Sequence, residues 1–170
     1  VVDGNGANYL VKKEPWMRNV VADTSVIETS MDAPSLKLGT KPEYGEEVIN
    51  ISAPKGIYHP SSSGGGVFFT KGNYNGQFLM PGGKAKKRIF SMYNLNAAPG
   101  SSGSPILNTN GEIIGMIHSI DSSYCNLITG QCNSPISYSA TVEQIRETLA
   151  EALAAIKRGN SIKFDYSKID

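Results

Sequence analysis

Short runs of apolar or alternating residues recur along the chain, separated by clusters of Gly, Pro, Asn and Asp. They are "NYLV" at 8–11, "TSVIET" at 24–29, "EEVINIS" at 46–52, "GVFFT" at 66–70, "GQFLM" at 76–80, "RIFSMY" at 88–93, "SPIL" at 104–107 and "EIIGMIH" at 112–118. That regular punctuation predicts strands of a sandwich or barrel. "TNGE" at 109–112 predicts a hairpin joining "SPIL" to "EIIGMIH", because Asn-Gly takes up the positive backbone angles of a type I′ turn at little cost. The period changes only near the end. Val142, Ile145, Leu149, Leu153 and Ile156 recur at steps of three and four, one face of a helix expected to lie as a packing lid on the barrel. Thr141 and Gln144 supply a capping box at its start and Gly159 a stop.

Composition agrees with an all-β reading. In 170 residues there are 18 glycines and 9 prolines, with 39% apolar and 18% charged residues, which suits a single compact unit with many turns. The net charge of +1 provides no field that would gather nucleic acid or a membrane surface. The one basic patch, "KAKKR" at 84–88, reads as a solvated hairpin tip, so no nucleic-acid partner is expected. No run approaches the roughly 18 consecutive apolar residues of a spanning helix, and the first residues lack a signal-peptide layout, so no membrane partner is expected either. Cys125 and Cys132 bracket "NLITGQ", a spacing open to a disulfide or to two thiols. "SSSGGG" at 61–66 lacks the ending of a phosphate loop.

The chemistry concentrates in "PGSSGSPI" at 99–106, between two apolar segments. A nucleophilic serine needs a tight turn, backbone N–H groups that can hold an oxyanion, and no bulky neighbour. Gly100-Ser101-Ser102-Gly103 meets these demands: the N–H groups of Gly100 and Ser102 can form a two-donor hole, and Gly103 lets the chain leave into the next strand without a Cβ clash. Pro105 then begins that strand, where no ladder N–H is wanted. On these eight residues alone a plain Gly-Ser turn is an equal reading.

The flanks resolve the choice. "NAAPGSSGSPILNTNGEIIGMI" at 96–117 closely resembles the active-serine segment of chymotrypsin-fold (trypsin-like) serine peptidases, especially the HtrA/Deg and glutamyl-endopeptidase branches. "EYGEEVINISAPKG" at 43–56 and "ADTSVIET" at 22–29 are similar to two further segments of that family in order and spacing, and "ISYSATVEQIRETL" resembles its last strand and closing helix. The resemblance implies a double antiparallel β-barrel with a C-terminal helix: 1–58 the remainder of the N-terminal barrel, 59–140 the C-terminal barrel, 141–158 the helix and 159–170 a tail. It implies Ser102 as nucleophile, Asp23 as the acid that orients the base, and the amides of Gly100 and Ser102 as oxyanion donors. The expected activity is serine endoproteolysis of a peptide or protein substrate without metal or cofactor, with a catalytically inactive scaffold as the alternative. A viral polyprotein-processing or virion-associated setting and a bacterial secreted or periplasmic one are both open.

The family's histidine has no counterpart after Val1. "VVDG" at 1–4 resembles the residues that succeed that histidine in "HVVDG", so the base is expected on an upstream segment or chain, directly before Val1. The competing explanations are a non-catalytic member and a relocated base, His59 or His118. In the family a histidine beside the specificity pocket stands as "GIH", whereas here "GMIH" places His118 one residue later, and a one-residue slip on a strand turns a side chain to the other face. His118 is then expected to face the acid, to line the pocket or simply to end the strand. The resemblance puts Asn96 at the pocket base and draws the walls from Ala97, Ala98, Pro99, His118, Ser119 and Ile120, suited to a small or medium, uncharged or polar side chain.

Overall fold

The computed structural model describes residues 10, 17–19, 23–30, 32–53, 68–80, 88–126 and 134–159. Six strands, β3 (Glu47–Ser52), β4 (Phe68–Met80), β5 (Arg88–Asn94), β6 (Pro105–Leu107), β7 (Ile113–Ile120) and β8 (Ser137–Thr141), close into an antiparallel barrel in the order β3-β4-β5-β8-β7-β6. Outside it, β1 (Met17–Asn19) and β2 (Thr24–Val26) form a two-stranded ribbon, and α1 (Val142–Lys157) packs against β1, β2, β7 and β8. The fold is all-β with one C-terminal helix, as the resemblance implies. The boundary expected at 58/59 needs correction in one respect. β3 stands in the closed barrel between β4 and β6 rather than with the ribbon.

The core is built by strand alternation. Val48, Tyr74, Tyr93, Leu95, Ile106, Ile114 and Ile117 form one buried cluster inside the barrel. On β3 the inward positions are Val48, Asn50 and Ser52, while Ile49 and Ile51 are only half-buried. A barrel strand that turns two polar residues inward must give them hydrogen-bond partners, because an unpaired buried polar group costs about 1–3 kcal/mol. The amide nitrogen of Asn50 finds its partners at the end of the serine loop, in Ser104 and Pro105, while its buried Oδ1 has none among the described residues.

Three local expectations differ from the structure. Residues 68–70 of the first run and the run at 76–80 belong to a single strand, β4, in which Gly76 at φ 106° marks a bulge against β5. The "NG" loop is not a type I′ turn: Asp23 is the only non-glycine at positive φ among the described residues, so Asn110 does not take the required angles. Instead Gly111 N donates to Asn108 O (3.0 Å), Gly111 takes φ 76°, and Asn108 Oδ1 accepts from the N–H groups of Asn110 (3.0 Å) and Glu112 (2.9 Å). This three-residue loop with a left-handed glycine is the next most common hairpin form.

The helix is rotated from the expected face, burying Val142 and half-burying Ile145 of the predicted stripe but not the rest. Its capping box forms as expected, Thr141 Oγ1 accepting from Gln144 N (3.2 Å) and Gln144 Oε1 from Thr141 N (2.9 Å), and Gly159 takes φ 67° beyond its end. The buried side, however, is Val142, Thr148, Ala152 and Ala155, while Leu149, Leu153 and Ile156 are exposed. Small side chains let the helix axis approach the ribbon and barrel closely, and the larger apolar ones are left on the outer side. Arg146 Nη2 donates to Gly39 O (2.6 Å), and residues 37–39 are in turn tied to Ile113 through Gly39 N to Ile113 O and Ile113 N to Lys37 O, each 2.8 Å. Cys125 is disulfide-bonded. Cys132, most of "KAKKR", "SSSGGG", "NYLV" apart from Leu10, and His59 lie outside the described residues.

Candidate active site

The serine turn is assembled from backbone geometry that its sequence anticipates. Ser101 N donates to Ala98 O (2.9 Å), closing a β-turn whose central residues are Pro99 and Gly100, and Gly100 takes φ 97°. Proline followed by a residue at positive φ is what a type II turn requires. Gly103, at φ 85°, donates to Ile117 O (2.7 Å), and Ile117 N donates to Ser104 O (2.9 Å), so the loop leaves directly into pairing with β7. The loop's exit is pinned to β3, where Asn50 Nδ2 donates to Ser104 Oγ (2.9 Å) and Pro105 O (2.8 Å). Ser101 is buried and Ser102 is left exposed at the tip. Among the described residues, the amides of Ser101, Gly103 and Ser104 are engaged within this framework, whereas those of Gly100 and Ser102 donate to no acceptor.

Asp23 reaches the same place from the ribbon. It stands immediately before β2 at φ 50°, a left-handed conformation that Asp tolerates better than most residues. The next residue, Thr24, is tied to α1 by a buried contact between Thr24 Oγ1 and Thr148 Oγ1 at 3.0 Å. On the barrel side, β7 slips in register against β8: Ile117 pairs with Ser139 but Ser119 pairs with Tyr138, so His118 is the extra residue of a bulge. That bulge turns the His118 ring toward Asp23, with Nε2 3.1 Å from Asp23 Oδ2. The ring also packs against Phe90, centroids 4.7 Å apart. Ser102 Oγ donates to the backbone oxygen of His118 at 3.2 Å.

Two cavities meet at Ser102. One, of about 230 Å³, is lined by Asp23, Ser102, Gly103, Met116, Ile117, His118 and Ala140, which puts the carboxylate and the hydroxyl on one cleft. The other, of about 330 Å³, has Ala98, Pro99, Ser102, His118, Ser119 and Ile120 in its wall, together with Ile117 and Cys125. Five of the expected pocket residues are thus gathered around one space. Two are not: Asn96 is exposed outside this wall, and Ala97 is buried and bridged to Ser134 through a 3.3 Å backbone bond. The sequence reading missed Asn50, although a polar residue on the same alternating face as Val48 is a legible sign of an inward anchor.

A family model described as a trypsin-like peptidase domain matches residues 6–116. No curated protein matches the chain at the sequence level. Among solved structures the chain is similar to an inactive form of Rv3671c from M. tuberculosis H37Rv, with TM-score 0.63, 14% identity, and 83% of this chain and 64% of that one covered. It is also similar to the active form of the Rv3671c protease from M. tuberculosis (TM-score 0.64, 15% identity, coverage 81% and 57%). A third likeness is to the HtrA-type protease AlgW with a decapeptide (TM-score 0.65, 19% identity, coverage 88% and 42%). At these identities the likeness is one of fold, and the chain spans less than two thirds of the length of each.

Proposed function

Because the chain belongs to the trypsin-like peptidase domain family, we propose that it is a serine endopeptidase working through an acyl-enzyme on Ser102. The Ser102 oxygen attacks the scissile carbonyl carbon while its proton passes to an imidazole. The tetrahedral oxyanion is held by the N–H groups of Gly100 and Ser102, and the C–N bond then breaks as the imidazolium returns the proton to the leaving amine. Water repeats the sequence on the ester and frees Ser102. Asp23 fixes the tautomer of the imidazole and stabilises its cation. The base in this reading is a histidine directly before Val1, as the "VVDG" resemblance suggests.

The observation that carries the reading is that Ser102 and Asp23, 79 positions apart in the chain (102 − 23), border the same cleft. The cavity walled by Ala98, Pro99, His118, Ser119 and Ile120 would receive the side chain before the cut. Among the described residues its lining includes no acidic side chain, which removes the reason to prefer Lys or Arg there and favours a small or medium, uncharged or polar side chain. A fluorophosphonate probe on the full-length protein, upstream residues included, tests the reading. Labelling that disappears in Ser102→Ala supports it. A folded wild type that does not label supports a scaffold without catalytic activity.

A further inference from the structure

We propose that His118 is a positioning residue for the acid: it donates its Nε2–H to one carboxylate oxygen of Asp23 and leaves the other for the base. The inference rests on the peptidase reading. A carboxylate only accepts hydrogen bonds, so the ring nitrogen 3.1 Å from Asp23 Oδ2 must be the one that carries a proton. The other ring nitrogen, Nδ1, is buried with no hydrogen-bond partner among the described residues. Neither ring nitrogen is therefore available to Ser102, whose hydroxyl instead donates to the backbone oxygen of His118. This arrangement separates His118 from the relocated base that the sequence left open. A base must hold the nucleophile's proton at a ring nitrogen.

The contact has a purpose because Asp23 is poorly held otherwise. Its side chain is 69% exposed, and its backbone sits in a left-handed conformation at the end of a two-stranded ribbon. An exposed carboxylate on a short ribbon samples several rotamers, and a single fixed donor selects among them. His118 is suited to this because its own ring is confined, 20% exposed and packed on Phe90, and because the bulge in β7 rather than a flexible stem sets its direction. One oxygen of Asp23 is thereby fixed against the barrel, while the exposed side of the carboxylate remains open for an imidazole arriving from the solvent side of the cleft.

The test uses the full-length protein, a fluorophosphonate probe and two variants. His118→Phe keeps the ring packing on Phe90 and removes the donor. His118→Gln keeps a side-chain N–H within reach of Asp23. The expected result is a labelling rate lowered about 10- to 100-fold in His118→Phe, the scale on which removing the partner that orients a metal-ligating side chain acts, with most of that loss recovered in His118→Gln. Wild-type rates in both variants overturn the proposal. Labelling as low as that of Ser102→Ala in both also overturns it, and makes His118 the base. Ring-nitrogen NMR gives a readout independent of activity: His118 should show a protonated Nε2 and a bare Nδ1, a pattern lost in Asp23→Ala. The reverse tautomer in wild type overturns the contact itself. A wild type that does not label overturns the peptidase reading and the positioning role with it, whatever the NMR shows of the contact.

Discussion

Ser102 and Asp23 face one cleft, yet they are held there by opposite means. The serine turn is built into a closed barrel: its N–H and C=O groups join the β7 ladder, Asn50 anchors its exit from the neighbouring strand β3, and Ile106, two residues past Ser104, is fully buried. Asp23 directly precedes one of two three-residue strands that, among the described residues, pair only with each other, and its carboxylate is mostly exposed. Two strands alone are marginal in water. The ribbon is fixed from elsewhere, by Thr148 on α1 and His118 on β7. Ser102 is thus placed by the fold as a whole, and Asp23 by a few side-chain contacts that the barrel and helix extend to it.

The largest expected effect tests whether the weakly supported side matters as much to chemistry as the strongly supported one. Asp23→Asn keeps the shape and tolerates the left-handed backbone, so the melting temperature should barely move, while the labelling rate of Ser102 in the full-length protein falls about 10⁴-fold. An unchanged rate would detach the ribbon from the reaction. Ile106→Ala attacks the barrel instead and should cost about 2–5 kcal/mol in denaturant unfolding, since the residue is fully buried next to the serine loop. Asn50→Ala should cost about 1–3 kcal/mol, because Pro105 O and Ser104 Oγ lose a buried donor, and it should slow labelling by loosening the loop. Equal labelling in Asn50→Ala and wild type would mean that the turn needs no anchor. Thr148→Val removes the Oγ1 that meets Thr24 and should cost about 1 kcal/mol globally. Its sharper signature is faster hydrogen exchange in β2 than in β6, the result that would separate ribbon from barrel most directly.

The sequence made the barrel more legible than the ribbon for the same physical reason. Turn chemistry and alternation are local signals, so β3, β5, β6 and β7 fall within a residue or two of the runs that announce them. The Pro99-Gly100 turn and the Thr141–Gln144 capping box were equally local. The features that escaped were decided by tertiary contact. β4 runs through Gly72 because a side chain there would collide with the backbone oxygen of Asn94, a reason invisible in "KGNYNG". The apolar stripe of α1 ran from Val142 and Ile145 to Leu149, Leu153 and Ile156, but packing on the ribbon and barrel kept only its first residues and selected Thr148, Ala152 and Ala155 for burial. The gathering of Asp23 with Ser102 could be read only through family resemblance, since nothing near either residue encodes the other. Asn96 shows the limit of that route: a position inferred from a pattern of letters is exposed and outside the wall it was expected to floor.

The bulge that carries His118 means that β7 is one residue longer than its pairing with β8 needs. A change of strand length by one is absorbed there without disturbing the rest of the ladder, yet it decides which side chain meets Asp23. Proteins of this shape therefore have a short route to diversity at the most sensitive point of the cleft: a single-codon insertion or deletion can exchange the carboxylate's neighbour outright, a change that point substitution at either position would have to approach through less well-packed intermediates.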